Sequence, residues 1–244
     1  MLIKFIPMVI SAYLLGSMPS AYLVAKWRRG IDIRQYGSGN VGAANVLAVV
    51  SKRWSIVVTI FDVGKGALMV WIAQLLQLNA AQQATVGIAA IIGHNWPVFL
   101  RFQGGRGIFT SLGVITMLSP WLGLIALVFP YLFAPFHLVS LGVGLVLIII
   151  PIVSWFASQP LGIAEPLTIT LSIIVILLIV IFRRLSAPRR PISASVSTGQ
   201  LIINRLLFDR DIRDRKAWIS QTRSQVSSIE PPAEQEEKQN NLDT

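Results

Sequence analysis

Long apolar segments separated by short polar ones dominate the chain. No charged residue lies between Arg106 and Glu165. A run of that length can satisfy its backbone hydrogen bonds inside a bilayer only as helices that cross the membrane. Further apolar segments occupy residues 2–25, 54–78, 84–99 and 167–182. The pattern therefore predicts an all-α, polytopic membrane protein.

The positions of the basic residues predict the number and direction of the crossings. Lysines and arginines collect on the cytoplasmic side of membranes, and the first apolar segment is followed by Lys26, Arg28, Arg29 and Arg34. The chain is cytoplasmic again at Arg106 and at Arg183, so an even number of crossings separates these two residues. Residues 108–156 are too long for one crossing, and Pro120 and Pro135 divide them into three short ones. We therefore predict seven transmembrane helices, with the N-terminus outside and the C-terminus cytoplasmic.

Two regions depart from an ordinary membrane helix. Residues 108–119 and 121–134 are shorter than a usual span, which implies a locally thinned or re-entrant arrangement. At the N-terminus, Lys4 and the apolar core after it resemble a signal peptide. Hydrophobicity nevertheless continues to Ala25 and ends at the basic cluster, where a signal peptide has a small-residue cleavage site. We therefore predict that this segment remains as the first helix.

Composition agrees with a membrane protein and removes several other classes. Apolar residues make up 54% of the chain and charged residues 13%, and the mean hydropathy of +0.66 is far from that of a soluble domain. A net charge of +10 is also typical of nucleic-acid binding, but topology explains cations at the ends of apolar segments, so no nucleic-acid partner is expected. The chain has no cysteine, which excludes disulfides, thiolate metal sites and a cysteine nucleophile.

The sequence divides into four parts. Residues 1–184 form the transmembrane domain, and residues 185–200 form a basic, serine-rich linker. In residues 201–220, apolar residues mix with Arg and Asp at spacings that predict an amphipathic segment on the cytosolic surface. Residues 221–244 are polar and acidic, which predicts a disordered tail.

A glycine-rich loop joins two apolar segments and reads G-H-N-W-P-V-F-L-R-F-Q-G-G-R-G-I-F-T at residues 93–110. Glycine tolerates positive φ, so Gly104, Gly105 and Gly107 can curl until successive N–H groups converge on an anion. Arg101 and Arg106 add positive charge, and the dipole of the following helix adds to the attraction. The loop therefore suits a phosphate group. The alternative is that the glycines only turn the chain and the arginines face lipid headgroups.

A second polar loop follows the first apolar segment and reads R-Q-Y-G-S-G-N-V-G-A-A-N at residues 34–45. Its glycines, Gly39 and Gly42 among them, supply tight turns. Ser38 supplies a hydroxyl and Asn40 and Asn45 supply amides, a set that can bind a polyol and a phosphate together. A plain connector between helices is the competing interpretation.

The second apolar segment carries two charges, Asp62 and Lys65, in the sequence F-D-V-G-K-G. A charge inside a membrane helix costs about 2.5–3.5 kcal/mol, so such residues usually face a partner or a water-filled cavity. Residues three apart share a helix face and can pair. Either the two form a structural ion pair, or Lys65 faces substrate phosphate and Asp62 orients it. In the second case Gly64 and Gly66 permit a close approach.

Three motifs in register resemble one known family. They are G-S-G-N-V-G-A-A-N at residues 37–45, D-x-x-K-G at residues 62–66 and G-H-x-x-P-V-F-x-x-F-x-G-G-R-G at residues 93–107. Their order and spacing are similar to those of the PlsY-type glycerol-3-phosphate acyltransferases over residues 1–184. The string I-N-R-L-L at residues 203–207 resembles the family's short C-terminal motif. Three separate motifs are far more specific than any one.

The resemblance implies a seven-helix enzyme of the bacterial inner membrane. Such an enzyme transfers an acyl group from acyl phosphate to the sn-1 hydroxyl of glycerol 3-phosphate, giving lysophosphatidate for phospholipid synthesis and releasing inorganic phosphate. The family requires no metal, no other cofactor and no acyl carrier. Because acyl phosphate is already activated, catalysis consists mainly of positioning and electrostatic stabilisation.

Carried over by position, the resemblance also assigns the site residues. The expected catalytic residues are Ser38, His94 and Arg106. The residues expected to bind substrate are Gly39, Asn40, Gly42, Asn45, Asp62, Lys65, Gly104, Gly105, Gly107 and Asn204. His94 is a proton acceptor or an orienting group in this assignment, and a histidine packed against Trp96 and Pro97 is the alternative.

The chain departs from the family pattern at several positions. Ala44 stands in place of Thr, Ala48 in place of Arg, and Arg184 in place of His. Gln103 and Arg106 stand where the third motif has two lysines, and Arg and Lys are not equivalent phosphate ligands. Ala48 and Gln103 remove two cations from the expected pocket. One alternative is therefore a divergent relative with altered substrate or lost activity. A transporter of an anionic solute is another.

Overall fold

The computed structural model describes residues 2–189 and 193–214, which contain helices and connecting turns and no strand. The helices are α1 Leu2–Gly16, α2 Ser20–Arg29, α3 Ala43–Val49, α4 Lys52–Leu75, α5 Ala80–Asn95, α6 Ile108–Leu118, α7 Pro120–Val128, α8 Val139–Phe156, α9 Pro166–Leu185 and α10 Thr198–Phe208. The predicted all-α class is confirmed. The tail predicted for residues 221–244, and parts of the predicted linker and amphipathic segment, lie outside the described residues.

Four helical segments of the described chain are long and apolar enough to cross a membrane: Leu2–Arg29, Lys52–Leu75, Val139–Phe156 and Pro166–Leu185. Two shorter apolar segments, Ile108–Leu118 and Pro120–Phe133, lie where short helices were predicted. Large apolar side chains such as Ile3, Ile60 and Phe156 are exposed on the outer surface, as expected where a protein contacts lipid. The chain is therefore a multi-pass membrane protein.

Prolines mark several of the helix boundaries. The first span is interrupted between α1 and α2 at Pro19, which has no backbone N–H to donate. Pro120 occupies the first turn of α7, where the missing donor is tolerated. After α7 a short 3-10 segment, Phe129–Phe133, precedes the turn that contains Pro135, and α8 begins at Val139. The predicted breaks near Pro120 and Pro135 are confirmed.

Glycines let two pairs of helices approach closely. A β-carbon built at Gly16 of α1 would lie 2.2 Å from a carbonyl oxygen of α5, and one at Gly93 of α5 would lie 2.2 Å from a carbonyl oxygen of α1. The same reciprocal contact joins α4 and α6, through Gly66 at 2.3 Å and Gly113 at 2.1 Å. Small residues commonly serve this role between membrane helices. The close approach predicted at Gly66 therefore accommodates α6, whereas Gly64 faces open space.

Helix α10 packs against α8 and α9. Leu201, Asn204 and Arg205 of this helix are buried, whereas Ile202, Ile203 and Leu207 are exposed, and the amphipathic surface segment expected over residues 201–220 stays a prediction. Arg205 Nη1 donates to the carbonyl oxygen of Leu185 (2.8 Å), the last residue of α9, and to that of Ala187 (2.6 Å) just after it. These bonds fix α10 beside the C-terminal end of α9, where the functional site lies.

Candidate active site

Asn45 shapes the polar loop between α2 and α3. Its Oδ1 accepts the backbone N–H of Ser38 (3.0 Å), and its Nδ2 donates to the carbonyl oxygens of Ile33 (3.2 Å) and Tyr36 (3.0 Å). Asn45 is 1% exposed, so both ends of its amide serve the loop. Gly39, with a φ of 64°, turns the chain immediately after Ser38.

Asp32 and Arg34 brace the start of the same loop. The Asp32 carboxylate accepts the backbone N–H of Arg34 (3.0 Å), and the closest contact between the two side chains is 2.6 Å. Hydrogen bonds from the Arg34 side chain lower the pKa of the Asp32 carboxyl, which keeps it ionised at neutral pH. Arg34 Nη1 also donates to Gln103 Oε1 (3.4 Å), which connects the two polar loops.

The glycine loop packs against the end of α5 and does not form the predicted nest. Gly107 has a φ of 75°, but Gly104 and Gly105 do not have positive φ. The backbone N–H of Gly105 donates to the carbonyl oxygen of His94 (3.0 Å), so it is not available to an anion. A β-carbon at Gly104 would lie 2.2 Å from that oxygen, and one at Gly105 would lie 2.0 Å from His94 Nε2. The prediction is therefore wrong here, because close packing is the reason for glycine at both positions.

Arg183, near the end of α9, holds the glycine loop. Its Nε donates to the carbonyl oxygen of Gly105 (2.9 Å), and its Nη2 donates to that of Gly104 (2.8 Å). The guanidinium carbon lies 5.7 Å from the centre of the Trp96 ring, within the range of a cation–π contact. One planar side chain thereby joins α5, the glycine loop and α9.

A cleft of about 420 Å³ opens between the two polar loops and the end of α9. It is lined by Arg34, Ser38, Gly39, Asn40, Phe102, Gln103, Gly104, Arg106, Arg183, Ser186, Ala187, Pro188 and Arg189. Among the described residues this lining contains four arginines and no carboxylate, which favours an anionic ligand. Nowhere in residues 2–189 and 193–214 do three His, Asp or Glu side chains come together as a metal site requires.

Asp62, Lys65 and His94 form a buried polar network behind the glycine loop. Lys65 Nζ lies 3.0 Å from Asp62 Oδ1 and 2.8 Å from His94 Nδ1, and Ser20 Oγ donates to Asp62 Oδ1 (2.9 Å). An ammonium group only donates, so His94 Nδ1 accepts and the proton of the neutral ring lies on Nε2, beside Gly105. The predicted pairing of Asp62 with Lys65 is confirmed. The Lys65 side chain is only 2% exposed and does not line the cleft.

The structure separates the predicted site residues into two groups. Those on the cleft wall are Ser38, Gly39, Asn40, Gly104 and Arg106. Those that do not line the cleft are Gly42, Asn45, Asp62, Lys65, His94, Gly105, Gly107 and Asn204. Asn204 is engaged within the C-terminal segment, where it donates to the carbonyl oxygen of Asp211 (3.0 Å). The expectation of direct contact with substrate is thus restricted to the first group, and the roles of the second group stay predictions.

Sequence reasoning missed several residues of the site. It assigned some arginines of the cleft wall only to membrane topology: Arg34, Arg183 and Arg189. It also missed Asp209, which accepts from Arg106 Nη1 through Oδ2 (2.6 Å) and through its carbonyl oxygen (3.0 Å). Arg101, predicted beside the phosphate, is exposed and does not line the cleft. The signal that the sequence offered for these arginines was the accumulation of cations at the ends of the apolar segments.

An apolar groove of about 740 Å³ begins near the polar loop of residues 34–45. It follows α4, α6 and α7, and its lining includes Ala43, Ala44, Ile60, Val63 and Leu124. Ala43 and Ala44 follow Asn40 of the cleft wall by only a few residues, so the groove starts close to the cleft. The groove is open to the surface that contacts lipid.

A sequence model of the glycerol-3-phosphate acyltransferase family matches residues 6–194, which is more than half of the chain. The chain belongs to this family. Glycerol-3-phosphate acyltransferase 5 of Dehalococcoides mccartyi strain 195 is 49% identical over 220 residues, which cover 90% of this chain and 94% of that protein. Glycerol-3-phosphate acyltransferase 4 of strain CBDB1 is 47% identical over 216 residues, with 88% and 93% covered.

Solved structures of the family have the same fold. Crystal structures of PlsY, an integral membrane glycerol 3-phosphate acyltransferase, match 89% of this chain and 98% of PlsY at 30% identity. The TM-score is 0.70 for the glycerol 3-phosphate form and 0.68 for the lysophosphatidic acid form. The family resemblance inferred from the motifs is confirmed.

The positions at which this chain departs from the family pattern have different surroundings in the structure. Ala48 is half-buried and packs against the apolar core around the polar loop of residues 34–45, away from the cleft wall. Gln103 lines the cleft and accepts a hydrogen bond from Arg34. Arg184 is 4% exposed, and its Nε lies 3.4 Å from Asp209 Oδ1. Arginines elsewhere on the cleft wall thus supply positive charge that the motif positions lack.

Proposed function

We propose that this protein transfers an acyl group from acyl phosphate to the sn-1 hydroxyl of glycerol 3-phosphate, releasing lysophosphatidate and inorganic phosphate. The Dehalococcoides relatives are named glycerol-3-phosphate acyltransferases, and PlsY has a glycerol 3-phosphate form and a lysophosphatidic acid form. The strongest support in this chain is the arginine-lined cleft with Ser38 and Asn40 on its wall, close to an apolar groove.

The phosphate groups of both substrates bind in the cleft under this proposal. Arg106 uses only Nη1 for Asp209, and its Nη2 and Nε form no hydrogen bond within residues 2–189 and 193–214. A guanidinium with two open donors matches a phosphate group well. Ser38 and Asn40 hold the glycerol hydroxyls, because they place a hydroxyl and a side-chain amide on the wall. Arg183 contributes charge while it holds the glycine loop.

The acyl chain lies in the apolar groove along α4, α6 and α7. Burial of a hydrocarbon chain against apolar side chains contributes about 0.8 kcal/mol per methylene group removed from water. The groove starts at Ala43 and Ala44 of the polar loop of residues 34–45, so an acyl chain lying in it directs its carbonyl carbon toward Ser38 and Asn40. This placement accounts for a polar site joined to a lipid-facing surface.

The reaction exchanges one carbon–oxygen bond for another. The sn-1 oxygen bonds to the acyl carbon, the bond from that carbon to the phosphate oxygen breaks, and inorganic phosphate leaves with the electron pair. In the described part of the cleft wall there is no histidine and no carboxylate, so the leaving phosphate takes up the hydroxyl proton. The arginines stabilise the charge that develops on this phosphate, and the cleft holds both reactants together.

The same proposal gives seven crossings in a bacterial plasma membrane and a cleft at the cytoplasmic face. Arg34, Gln103 and Arg183 all line the cleft although they follow different apolar segments, which favours one membrane side for these segment ends. The absence of cysteine permits a direct test with single cysteines. We expect a membrane-impermeant maleimide to label Ala81→Cys in intact cells and Ser195→Cys only after the membrane is opened. The reverse pattern would contradict this topology.

The test of function is acyl transfer by membranes that contain the protein. Labelled glycerol 3-phosphate and acyl phosphate should give lysophosphatidate, and an acyl thioester should not replace acyl phosphate. We expect Ser38→Ala to lower the rate about 100-fold, whereas Ser158→Ala, after α8, should retain it. If glycerol 3-phosphate is inert but another phosphorylated acceptor reacts, the altered-substrate alternative holds. Uptake of a phosphate ester into proteoliposomes without acylation would instead favour a transporter.

A further inference from the structure

Asp209 brings a carboxylate to the arginines at the cleft. It follows α10, and its Oδ2 accepts from Arg106 Nη1 at 2.6 Å. Its Oδ1 lies 3.4 Å from Nε of Arg184, a residue that is 4% exposed. Asp209 Oδ1 and Arg184 Nε are both buried and form no hydrogen bond within residues 2–189 and 193–214. The carboxylate is therefore held by one hydrogen bond and by the charge of a second, buried guanidinium.

Asp211, two residues further on, is bound quite differently. Its Oδ1 accepts from Arg205 Nε (2.8 Å) and its Oδ2 accepts from Ser193 Oγ (2.9 Å), so both oxygens are hydrogen-bonded. Neither of these partners lines the cleft. The two carboxylates thus differ in role: Asp211 fastens α10 to its surroundings, whereas Asp209 binds Arg106 of the cleft wall through Oδ2 and has its Oδ1 beside the buried Arg184.

Two anions can bind Arg106, namely the Asp209 carboxylate and a phosphate group in the cleft. The Arg106 side chain is 14% exposed and lies on the wall of the cleft, whose described lining contains no carboxylate. A phosphate that uses the open nitrogens of Arg106 approaches the Asp209 carboxylate, and one that uses Nη1 must displace it. Like charges at this separation repel each other in either arrangement. The negative charge of Asp209 therefore opposes phosphate binding.

We propose that the Asp209 carboxylate competes with the substrate phosphate for Arg106, so that the C-terminal helix sets the affinity of the cleft for anions. The identity of this phosphate rests on the proposed function. The Asp209 carbonyl oxygen also accepts from Arg106 Nη1 (3.0 Å), so the backbone keeps the guanidinium in place when the carboxylate is removed. The side chain contributes charge above all.

The backbone of Asp209 suits the variants that test the proposal. Its φ of 57° and ψ of 34° are left-handed, a conformation that asparagine and glycine tolerate well. Asp209→Asn and Asp209→Gly both remove the charge, and Asp209→Glu keeps it. Asp211→Asn is the matched control, because it removes a carboxylate from the same segment without changing a contact of Arg106.

Two measurements on the full-length protein decide the proposal. The first is the KM for glycerol 3-phosphate at saturating acyl phosphate. The second is the concentration of inorganic phosphate that half-protects the detergent-solubilised protein from thermal unfolding. We expect both values to fall about three- to tenfold in Asp209→Asn and Asp209→Gly, the size of a partly exposed ion pair. Asp209→Glu should resemble the wild type, and Asp211→Asn should show no fall.

Tighter binding is a result that simple structural damage does not produce. Unchanged or raised values in both Asp209→Asn and Asp209→Gly would overturn the proposal, as would an equal fall in Asp211→Asn. If wild-type membranes make no lysophosphatidate, the proposed function fails, but protection by inorganic phosphate still decides whether Asp209 competes for the anion site.

Discussion

Replacing Gly105 by alanine tests whether the buried network behind the cleft positions the cleft wall. The added β-carbon would lie 2.0 Å from His94 Nε2 and 2.7 Å from the carbonyl oxygen of Val41. An ordinary contact requires about 3.5 Å, so the loop or the ring must move by about 1.5 Å. Because His94 Nδ1 is only 2.8 Å from Lys65 Nζ, the ring has little room to retreat. We therefore expect the loop to move.

A moved loop changes the cleft directly. Gly104 lies on the cleft wall and precedes Gly105, and Arg106 follows it. A displacement of about 1 Å in a positioning element costs about 100-fold in rate. We expect kcat to fall by about that factor in Gly105→Ala, while overpacking lowers the free energy of unfolding by about 1–3 kcal/mol.

The assay compares two glycine-to-alanine changes in the same chain. Initial rates of lysophosphatidate formation are measured for purified protein whose folded fraction is known from gel filtration. Gly64→Ala is the control, because a β-carbon at Gly64 of α4 would have no described atom within 4 Å apart from its own helix turn. Alanine favours a helix by about 1 kcal/mol over glycine, so this variant should be active and slightly more stable. A folded Gly105→Ala protein with wild-type kcat would refute the positioning role of His94 and its partners.

Three further variants examine the groups that hold the site. Arg183→Ala removes a cation and two hydrogen bonds to the glycine loop. We expect kcat/KM to fall about 100-fold. Arg183→Lys should recover little of this loss, because one ammonium group cannot reproduce the two hydrogen bonds of the planar guanidinium. Full recovery in Arg183→Lys would contradict this reasoning. Asn45→Ala leaves the loop groups that Asn45 binds without a partner. It should lower the free energy of unfolding by about 1–3 kcal/mol, as measured by thermal unfolding. An unchanged free energy of unfolding would mean that water replaces the amide. Asp62→Asn leaves Lys65 without its buried counter-ion. The free energy of unfolding should fall by about 3–5 kcal/mol, seen as a loss of folded protein. The double variant Asp62→Asn with Lys65→Met should recover part of this stability. Equal yields of the single and double variants would argue against a charge effect.

The sequence was most informative where the structure depends on neighbouring residues. Asp62 and Lys65 pair because residues three apart face the same side of one helix, and this geometry needs no knowledge of the fold. Their contact with His94 depends instead on the packing of α4 beside α5, where a β-carbon at Gly87 of α5 would lie 3.0 Å from the Val70 side chain of α4. The network was therefore predicted in part, and its third member emerged only from the tertiary structure.

In the glycine loop, positive φ was expected of glycines whose actual role is close packing. Glycine permits both positive φ and close packing, and a sequence does not distinguish these two uses. At Gly107 the first applies, with a φ of 75°, whereas at Gly104 and Gly105 the second applies. The surrounding backbone of α5 decides between them, and it is brought there by contacts distant in sequence.

The arginines of the cleft illustrate why motif positions alone do not define an anion site. Topology accounts for cations at the ends of spans, but it does not say which of them converge. Arg34 precedes the first motif and Arg183 belongs to α9, yet both line the cleft beside Gln103, where the family pattern has a lysine. Electrostatic potential adds over all charges near a ligand, so a cation from another element can replace the missing one. The affinity for phosphate then depends on the sum of nearby charges, including the negative charge of Asp209 on Arg106.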